Sequence, residues 1–315
     1  MNKLILFFII FFPIIFAIVT KDTIGYEVKI LKKINNEIIT NIDVDDEYNY
    51  LLALNSNLQD IDKNTAKKIA EDSLVREKIK LSEIKKFVDV EKFANDKSID
   101  KVIREIILGL NLENIEQFSN YLSSYNLDID RVRSKISVEI LWNQLISARY
   151  EKKIILDKKK ISDKIKDIIL KQKKIKEYEL FEIVFQAQNK EDFMLQSNEI
   201  QKSISSIGFK NTASKFSISN SAKFGGSIGK INENQLTDKI KTELDKVKIK
   251  EHTIPINIGS GFIILYIEKI DEINQDLNED DLFKKSIEFE KKKQLENFSQ
   301  IYYNKVKINS LIYEY

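Results

Sequence analysis

The sequence of 315 residues predicts an α+β protein, in which a small antiparallel sheet and short helices are set among long helical segments. Six of its eight glycines fall between Tyr178 and Ile270, so the tight turns are concentrated in this stretch. Within it, short runs rich in β-branched and aromatic residues are typical of half-buried strands. On both sides of it, apolar residues recur every three or four positions, which indicates amphipathic helices.

Composition excludes several classes of function. Hydrophobic residues make up 43% of the chain, enough for a sizeable core, and the charged residues balance to a net charge of +2. We therefore expect no nucleic-acid partner. The sequence has no glycine-rich phosphate loop, no cysteine and only one histidine, so we expect no nucleotide, no metal, no other cofactor and no Ser/His/Asp nucleophile.

The first 20 residues have the pattern of a secretory signal peptide. Met1-Asn2-Lys3 supplies a charged start, and an uncharged apolar run extends from Leu4 to Val19. A retained membrane anchor is the alternative, but the run is shorter than the ~20 residues that span a bilayer and it contains Pro13. We expect residues 1–20 to be cleaved after export.

A β-hairpin and a capped helix are predicted next. Two apolar runs, Lys29–Ile34 and Glu37–Thr40, are joined by Asn35-Asn36, residues that tolerate the left-handed conformation of a tight turn. Thr40 is then predicted to cap a helix, with Asp43 three residues later as in a capping box.

Five further helices are predicted from apolar residues that share one helical face. They cover Thr65–Lys86, Ile99–Leu108, Glu113–Ser124, Asp128–Tyr150 and Lys160–Leu170. We expect Trp142 to pack in the core of these helices. Lys171–Lys174 is the predicted linker to the glycine-rich stretch.

The glycine-rich stretch itself is predicted to run strand, two helices, strand, helix and hairpin. The corresponding ranges are Tyr178–Phe185, Phe193–Ile207, Lys210–Phe216, Ser227–Ile231, Leu236–Val247, Thr253–Ile258 and Phe262–Ile267. After it, a helix over Asp280–Tyr303 and a closing strand over Val306–Ile312 are predicted.

The glycine-rich stretch resembles the parvulin family of peptidyl-prolyl isomerases. The resemblance rests on the segments Ala213–Ser217, Ser221–Gly229 and Gly261–Ile264, and above all on Gly225-Gly226 followed later by Gly261-Phe262. It implies a parvulin-like domain over residues 173–271, with a small antiparallel sheet flanked by helices.

The family's active-site pattern is not preserved in this chain. Where a catalytic parvulin usually carries two histidines, the resemblance places Glu182 and Ile263, and its Cys or Asp position is occupied by Ser219. Neither replacement can make the tautomer-specific hydrogen bonds of an imidazole. The one histidine, His252, precedes a strand and is expected at the surface.

The resemblance also assigns a substrate pocket. Leu236 keeps the apolar residue that holds a substrate proline, Ile240 replaces a phenylalanine, and Phe262 belongs to the Gly-Phe pair. Isomerisation needs a shaped apolar pocket with tuned polar neighbours to lower a barrier of roughly 18–20 kcal/mol. We therefore expect weak or absent isomerase activity.

A second resemblance lies near the N-terminus. The segment Lys33–Asp43 is similar to the start of mature SurA-type periplasmic chaperones. It implies a helical chaperone module over residues 21–172, completed by a helix and strand from residues 272–315 that return beside the first hairpin.

Together the two resemblances imply an ATP-independent periplasmic chaperone that binds unfolded polypeptides, in particular outer-membrane β-barrel proteins. Aromatic residues of the helical module are candidates for client binding: Tyr48, Tyr50, Phe118, Tyr121, Tyr125 and Trp142. Two alternatives stay open. One is an active isomerase that uses Glu182 and Ser219, and the other is a chaperone tethered to the membrane by its N-terminal segment.

Overall fold

The computed structural model describes residues 27–93, 97–171, 174–274 and 278–315. The predicted signal peptide lies outside these residues, as does the centre of the predicted linker. Within the described ranges, no helix is both long enough and apolar enough to cross a membrane.

The first part of the chain is a helical module that begins with a hairpin. Its elements are β1 (Ile30–Ile34), β2 (Glu37–Thr40), α1 (Asn41–Leu54), α2 (Lys63–Ile84), α3 (Lys97–Gly109), α4 (Ile115–Ser123), α5 (Ile129–Tyr150) and α6 (Lys158–Lys171). Asn35 adopts a φ of 52° in the hairpin turn, as the sequence predicts. The capping box at α1 is also confirmed, because Thr40 Oγ1 accepts from the Asp43 amide and Asp43 accepts from the Thr40 amide.

The middle part is a second domain built on a four-stranded sheet. Its elements are β3 (Lys174–Phe185), α7 (Lys190–Ile207), α8 (Phe209–Phe216), β4 (Ser227–Asn232), α9 (Asp238–Leu244), β5 (Ile256–Asn257) and β6 (Phe262–Asn274). All neighbouring strands are antiparallel, in the spatial order β4-β3-β6-β5. The predicted α+β class and the predicted order of elements are both confirmed.

The hairpin predicted over Thr253–Ile258 and Phe262–Ile267 is shorter on one side and longer on the other. Only Ile256–Asn257 form a regular strand, since Pro255 has no amide hydrogen to donate to the ladder. Pairing reappears before the proline, where the Thr253 amide donates to the Leu265 carbonyl at 2.8 Å.

The chain ends with α10 (Glu279–Ile308) and β7 (Ile312–Glu314). The closing strand predicted at Val306–Ile312 was therefore placed too early. Phe298, Tyr302 and Val306 are spaced at helical intervals and pack against the same apolar core, so the helix continues through Val306. β7 pairs antiparallel with β1, so the prediction that the C-terminal strand returns beside the first hairpin is confirmed.

The hydrophobic core of the helical module is separate from those of the sheet domain. Trp142 is fully buried in it, and its indole Nε1 donates to Ser299 Oγ of α10 at 2.8 Å. Tyr302 and Tyr303 of α10 pack beside the indole ring. The C-terminal helix is thus an integral part of the helical module.

Candidate functional site

The candidate site lies on one face of the four-stranded sheet. Side chains alternate along a strand, so Tyr178, Leu180 and Val184 of β3 share a face with Ile263, Leu265 and Ile267 of β6. Leu236, Leu244 and Ile256 pack on the same cluster. We call this side of the sheet the cleft face.

Glu182 is the one charged residue of β3 on the cleft face between Leu180 and Val184. Its side chain is 9% exposed. Its Oε1 accepts hydrogen bonds from Ser219 Oγ at 2.6 Å and from Ser221 Oγ at 2.9 Å. The structure therefore brings together Glu182 and Ser219, which the sequence assigned to one site, and adds Ser221, which sequence reasoning missed.

The loop that carries both serines is anchored along the end of β3. The Val184 amide donates to Ser217 Oγ at 3.0 Å, and the Ile218 amide donates to the Val184 carbonyl at 2.8 Å. At the other end of the loop, the Glu182 amide donates to the Gly226 carbonyl at 2.7 Å. These bonds hold the loop in register with β3, so the two hydroxyls meet the Glu182 carboxyl.

Gly226 has no room for a side chain. It adopts a φ of +83°, and a Cβ at this position would lie 2.3 Å from the Glu182 carbonyl oxygen and 2.8 Å from Ala213 Cβ. The second glycine of the Gly-Gly pair is thus required by the close approach of its backbone to β3.

Burial and a second carboxyl determine the protonation of Glu182. Burial raises the pKa of the Glu182 carboxyl, and the nearby Glu296 carboxylate raises it further, to about 7, against the opposing effect of the two serine hydroxyls. Lys292, which lies on α10 with Glu296, has a positive charge that lowers the pKa of Glu182. Glu182 therefore changes its charge near neutral pH.

Glu296 approaches the site from the helical module. Ser219 Oγ lies 3.3 Å from Glu296 Oε1, in addition to its shorter contact with Glu182. On the same helix, the Ser260 hydroxyl donates to Asn297 Oδ1 at 2.8 Å, next to Glu296, and lies 3.4 Å from Gln300 Oε1, one turn further on. α10 therefore reaches from the serine loop to the turn before β6, the two loops that flank the cleft face.

The other residues assigned from the sequence fall into two groups. Ile263, Leu236 and Ile240 all belong to the cleft face, with Ile263 and Leu236 buried and Ile240 partly buried. Ile263 pairs with Val184, two residues beyond Glu182 on the same face of β3. An apolar residue thus stands near the carboxyl where the resemblance places a histidine.

Phe262 lies on the opposite side of the sheet. Its ring packs against Phe193 and Phe185, with ring centroids 4.3 and 5.5 Å apart. The structure does not bring Phe262 together with Leu236 and Ile240, because adjacent residues of β6 face opposite sides. His252 is partly buried beside Phe209 on that opposite side, away from Glu182.

All six aromatic residues proposed for client binding belong to the helical core or pack against it. Tyr50, Phe118 and Trp142 are buried, and Tyr48, Tyr121 and Tyr125 are partly buried against them. Their surfaces are used in packing, so in this structure they do not offer an exposed apolar surface.

A cluster of buried charges next to the site was not predicted from the sequence. Lys135 of α5 pairs with Glu47 and Glu77, and Glu139 pairs with Lys80 and Lys223. The cluster and Ser219 line a cavity of about 40 Å³ between the two domains. Burial would raise the pKa of Glu139, but Lys223 and Lys80 outweigh it and hold that pKa at about 2.

The chemistry available at the site is hydrogen bonding and proton exchange. In the part of the chain that the structure describes, no group of His, Cys, Asp or Glu side chains is arranged to hold a metal ion. The site thus combines a buried carboxyl with a pKa near 7, two hydroxyls that donate to it, and an apolar face beside them. Glu182 and Ile263 occupy the positions at which the resemblance expects two imidazoles.

The fold and the site define a parvulin-type domain attached to a helical module. In agreement, residues 157–269 match the family model described as Rotamase: PPIC-type PPIASE domain. The chain therefore carries a PPIC-type domain, and the recognition of a parvulin domain from the sequence is confirmed. No curated protein sequence matches the chain at a significant level.

Several solved structures also match the chain. A PpiC-type peptidyl-prolyl cis-trans isomerase domain is 26% identical and aligns with 32% of this chain and 95% of its own, with a TM-score of 0.28. PrsA from Bacillus anthracis is 16% identical over 75% of this chain and 95% of its own, with a TM-score of 0.30. A structure from a study of two SurA-like chaperones of Campylobacter jejuni, PEB4 and the periplasmic protein Cj1289, is 17% identical over 91% of this chain and 98% of its own, with a TM-score of 0.33.

Proposed function

We propose that this protein is an ATP-independent periplasmic chaperone that binds unfolded polypeptides, in particular outer-membrane β-barrel proteins, and that its PPIC-type domain has weak or no isomerase activity. The observation that carries the proposal is the Glu182 site. Where an active parvulin pocket needs a polar network open to the substrate, this domain has a buried carboxyl satisfied by two serines and approached by α10.

Client binding would use exposed apolar side chains instead of the buried aromatic residues. Large apolar side chains at the described surface include Phe87, Leu108, Met194, Ile301, Ile308 and Leu311, each at least half exposed. Such contacts are weak one by one, which suits a chaperone that must release its client without an energy source. Export through the N-terminal segment, and hence a periplasmic location, is part of the proposal.

Two assays on the full chain test it together. In a protease-coupled cis/trans assay, an Ala-Pro peptide should isomerise no faster with the chain than without it. The uncatalysed reaction takes tens to hundreds of seconds. Light scattering of an unfolded outer-membrane protein diluted from urea should fall when the chain is present. Unchanged scattering at a stoichiometric excess of the chain would refute the chaperone proposal.

An active isomerase is the second candidate, because Glu182 and Ser219 do form a hydrogen-bonded pair beside the cleft face. If it is correct, the full chain accelerates isomerisation and Glu182→Ala abolishes the acceleration. The matched control is Glu179→Ala, which removes a carboxylate from the opposite face of the same strand. Equal rates for the two variants would exclude a catalytic role for Glu182.

A further inference from the structure

Ser219 makes more carboxyl contacts than it has protons to donate. Its Oγ lies 2.6 Å from Glu182 Oε1 and 3.3 Å from Glu296 Oε1, while a hydroxyl carries a single hydrogen. If Ser219 donates to one carboxylate, the other contact is a hydrogen bond only when that carboxyl is itself protonated. The arrangement is therefore complete when one proton is shared by the Glu182 and Glu296 pair.

This pair joins two bodies that otherwise meet through polar contacts. Among the residues that the structure describes, Ile207 of the PPIC-type domain packs partly buried against the core of the helical module, and neither core of that domain includes a residue of the helical module. The polar contacts across the boundary include Asn55–Ser214, Arg76–Ser214, Lys80–Asn220, Glu139–Lys223 and Asn57–Asn211. Polar boundaries of this kind permit relative motion of domains.

We propose that Glu182 and Glu296 form a proton-operated latch, which holds the PPIC-type domain against α10 and covers the rim of the cleft face at the Ser219 loop and the Ser260 turn. Because Tyr302 and Tyr303 fix α10 in the helical module, release of the latch moves the PPIC-type domain and not the helix. Opening then exposes the rim formed by the Ser219 loop and the turn at Ser260 to a peptide. The inference builds on the proposed function, since it names how the peptide-binding side of that domain is uncovered.

The direction of the pH effect follows from the charges around Glu182. Glu296 and Lys292, both on α10, are the charged groups that act on it, and Ser219 and Ser221 are its other partners. In the closed state the pKa of Glu182 is about 7. In the open state Glu182 is separated from Glu296 and exposed to water, so its pKa returns toward the ordinary 4.5. The closed state therefore binds the proton, and the closed-to-open ratio rises up to about tenfold for each pH unit as the pH falls from 7 to 4.5.

The test measures opening through a single engineered thiol, because the natural chain has no cysteine. Gln300 is 6% exposed at the boundary, so a Gln300→Cys thiol reacts with maleimide only when the domains part. The reference is Leu108→Cys at a side chain that is 72% exposed, which corrects for the pH dependence of the reagent. The ratio of the two labelling rates should fall about 40-fold between pH 7 and pH 5.

Two matched substitutions in the Gln300→Cys background decide the role of the latch. Glu296→Gln removes the negative charge that raises the Glu182 pKa beyond the effect of burial, and its amide N–H can donate to Ser219 at any pH. Labelling should therefore be slower than in the parent and depend less on pH. Glu290→Gln changes a carboxylate on the same helix that bonds Gln294, so it should keep the parental pH dependence. A flat labelling ratio in the parent, or a parental pH dependence in Glu296→Gln, would overturn the latch. Since labelling reports a movement within the chain, such a result leaves client binding to be judged separately by light scattering.

Discussion

Two glycines of the block that identifies the PPIC-type domain provide a matched test of its packing. Gly226 and Gly229 both have positive φ, +83° and +73°, so alanine strains the backbone at each of them. A left-handed conformation costs a non-glycine residue roughly 1–2 kcal/mol. At Gly229 nothing lies within 4 Å of an added Cβ, so Gly229→Ala should destabilise the domain by about this amount and no more.

Gly226→Ala carries an additional cost. The added Cβ would lie 2.3 Å from the Glu182 carbonyl oxygen, a backbone atom that can move only if β3 shifts away from the loop. That shift strains or breaks the 2.7 Å bond from the Glu182 amide to the Gly226 carbonyl. Overpacking costs about 1–3 kcal/mol and a buried unsatisfied group about 1–3 kcal/mol, so we expect about 4 kcal/mol beyond the left-handed strain, or about 5–6 kcal/mol in total.

The assay is urea unfolding of the two alanine variants and the parent. Far-ultraviolet circular dichroism follows the whole chain, while the fluorescence of Trp142, the only tryptophan, follows the helical module. Gly226→Ala should lower the midpoint seen by circular dichroism well below that of Gly229→Ala. A difference of less than about 1 kcal/mol between the variants would refute the argument that backbone contact fixes this glycine.

Three other substitutions test charges and caps. The pKa of Glu182 is about 7 in the folded chain against 4.5 ordinarily, so the folded state is destabilised once this carboxyl ionises. Glu182→Gln should therefore raise the free energy of unfolding by about 3 kcal/mol at pH 8 and leave it unchanged at pH 4. Urea titration at both pH values measures the difference. Lys135→Met should cost about 3–5 kcal/mol by leaving two buried carboxylates unpaired, and a smaller loss in Lys135→Met combined with Glu77→Gln would confirm this cause. Thr40→Ala should cost about 1 kcal/mol in thermal unfolding through loss of the α1 capping box, and an unchanged melting temperature would contradict it.

Local signals predicted much of the fold. The Asn35 turn, the Thr40 capping box and the Gly225-Gly226 turn each depend on the conformational preferences of a few adjacent residues, and each is present in the structure. The closing strand was misplaced because Val306 and Ile308 alternate as a strand would. That alternation was outweighed by the packing of Val306, in step with Phe298 and Tyr302, on the helical core.

The site could be predicted only in part. The strand pattern places Glu182 and the glycine block places Ser219, but nothing local indicates that Glu296 approaches them from a helix 114 residues further along the chain. The buried cluster around Lys135 could not be predicted either, because single charged residues on helices are usually exposed to solvent. Phe262 was assigned to the pocket as part of a motif, although strand alternation alone places it on the other face from Ile263.

The replacement of an imidazole by Glu182 has consequences for the whole pocket. A buried carboxyl must be protonated or must accept hydrogen bonds, and here both serine hydroxyls of the neighbouring loop are committed to it. Those hydroxyls are then not available to a substrate amide, and Ile263 contributes no polar group in their place. Under the proposed function, the domain keeps its apolar face without the polar network that stabilises a twisted peptide bond. These residues therefore support the proposal of binding without catalysis, and the contact of Glu296 with the Ser219 loop is the point at which the proposed latch acts.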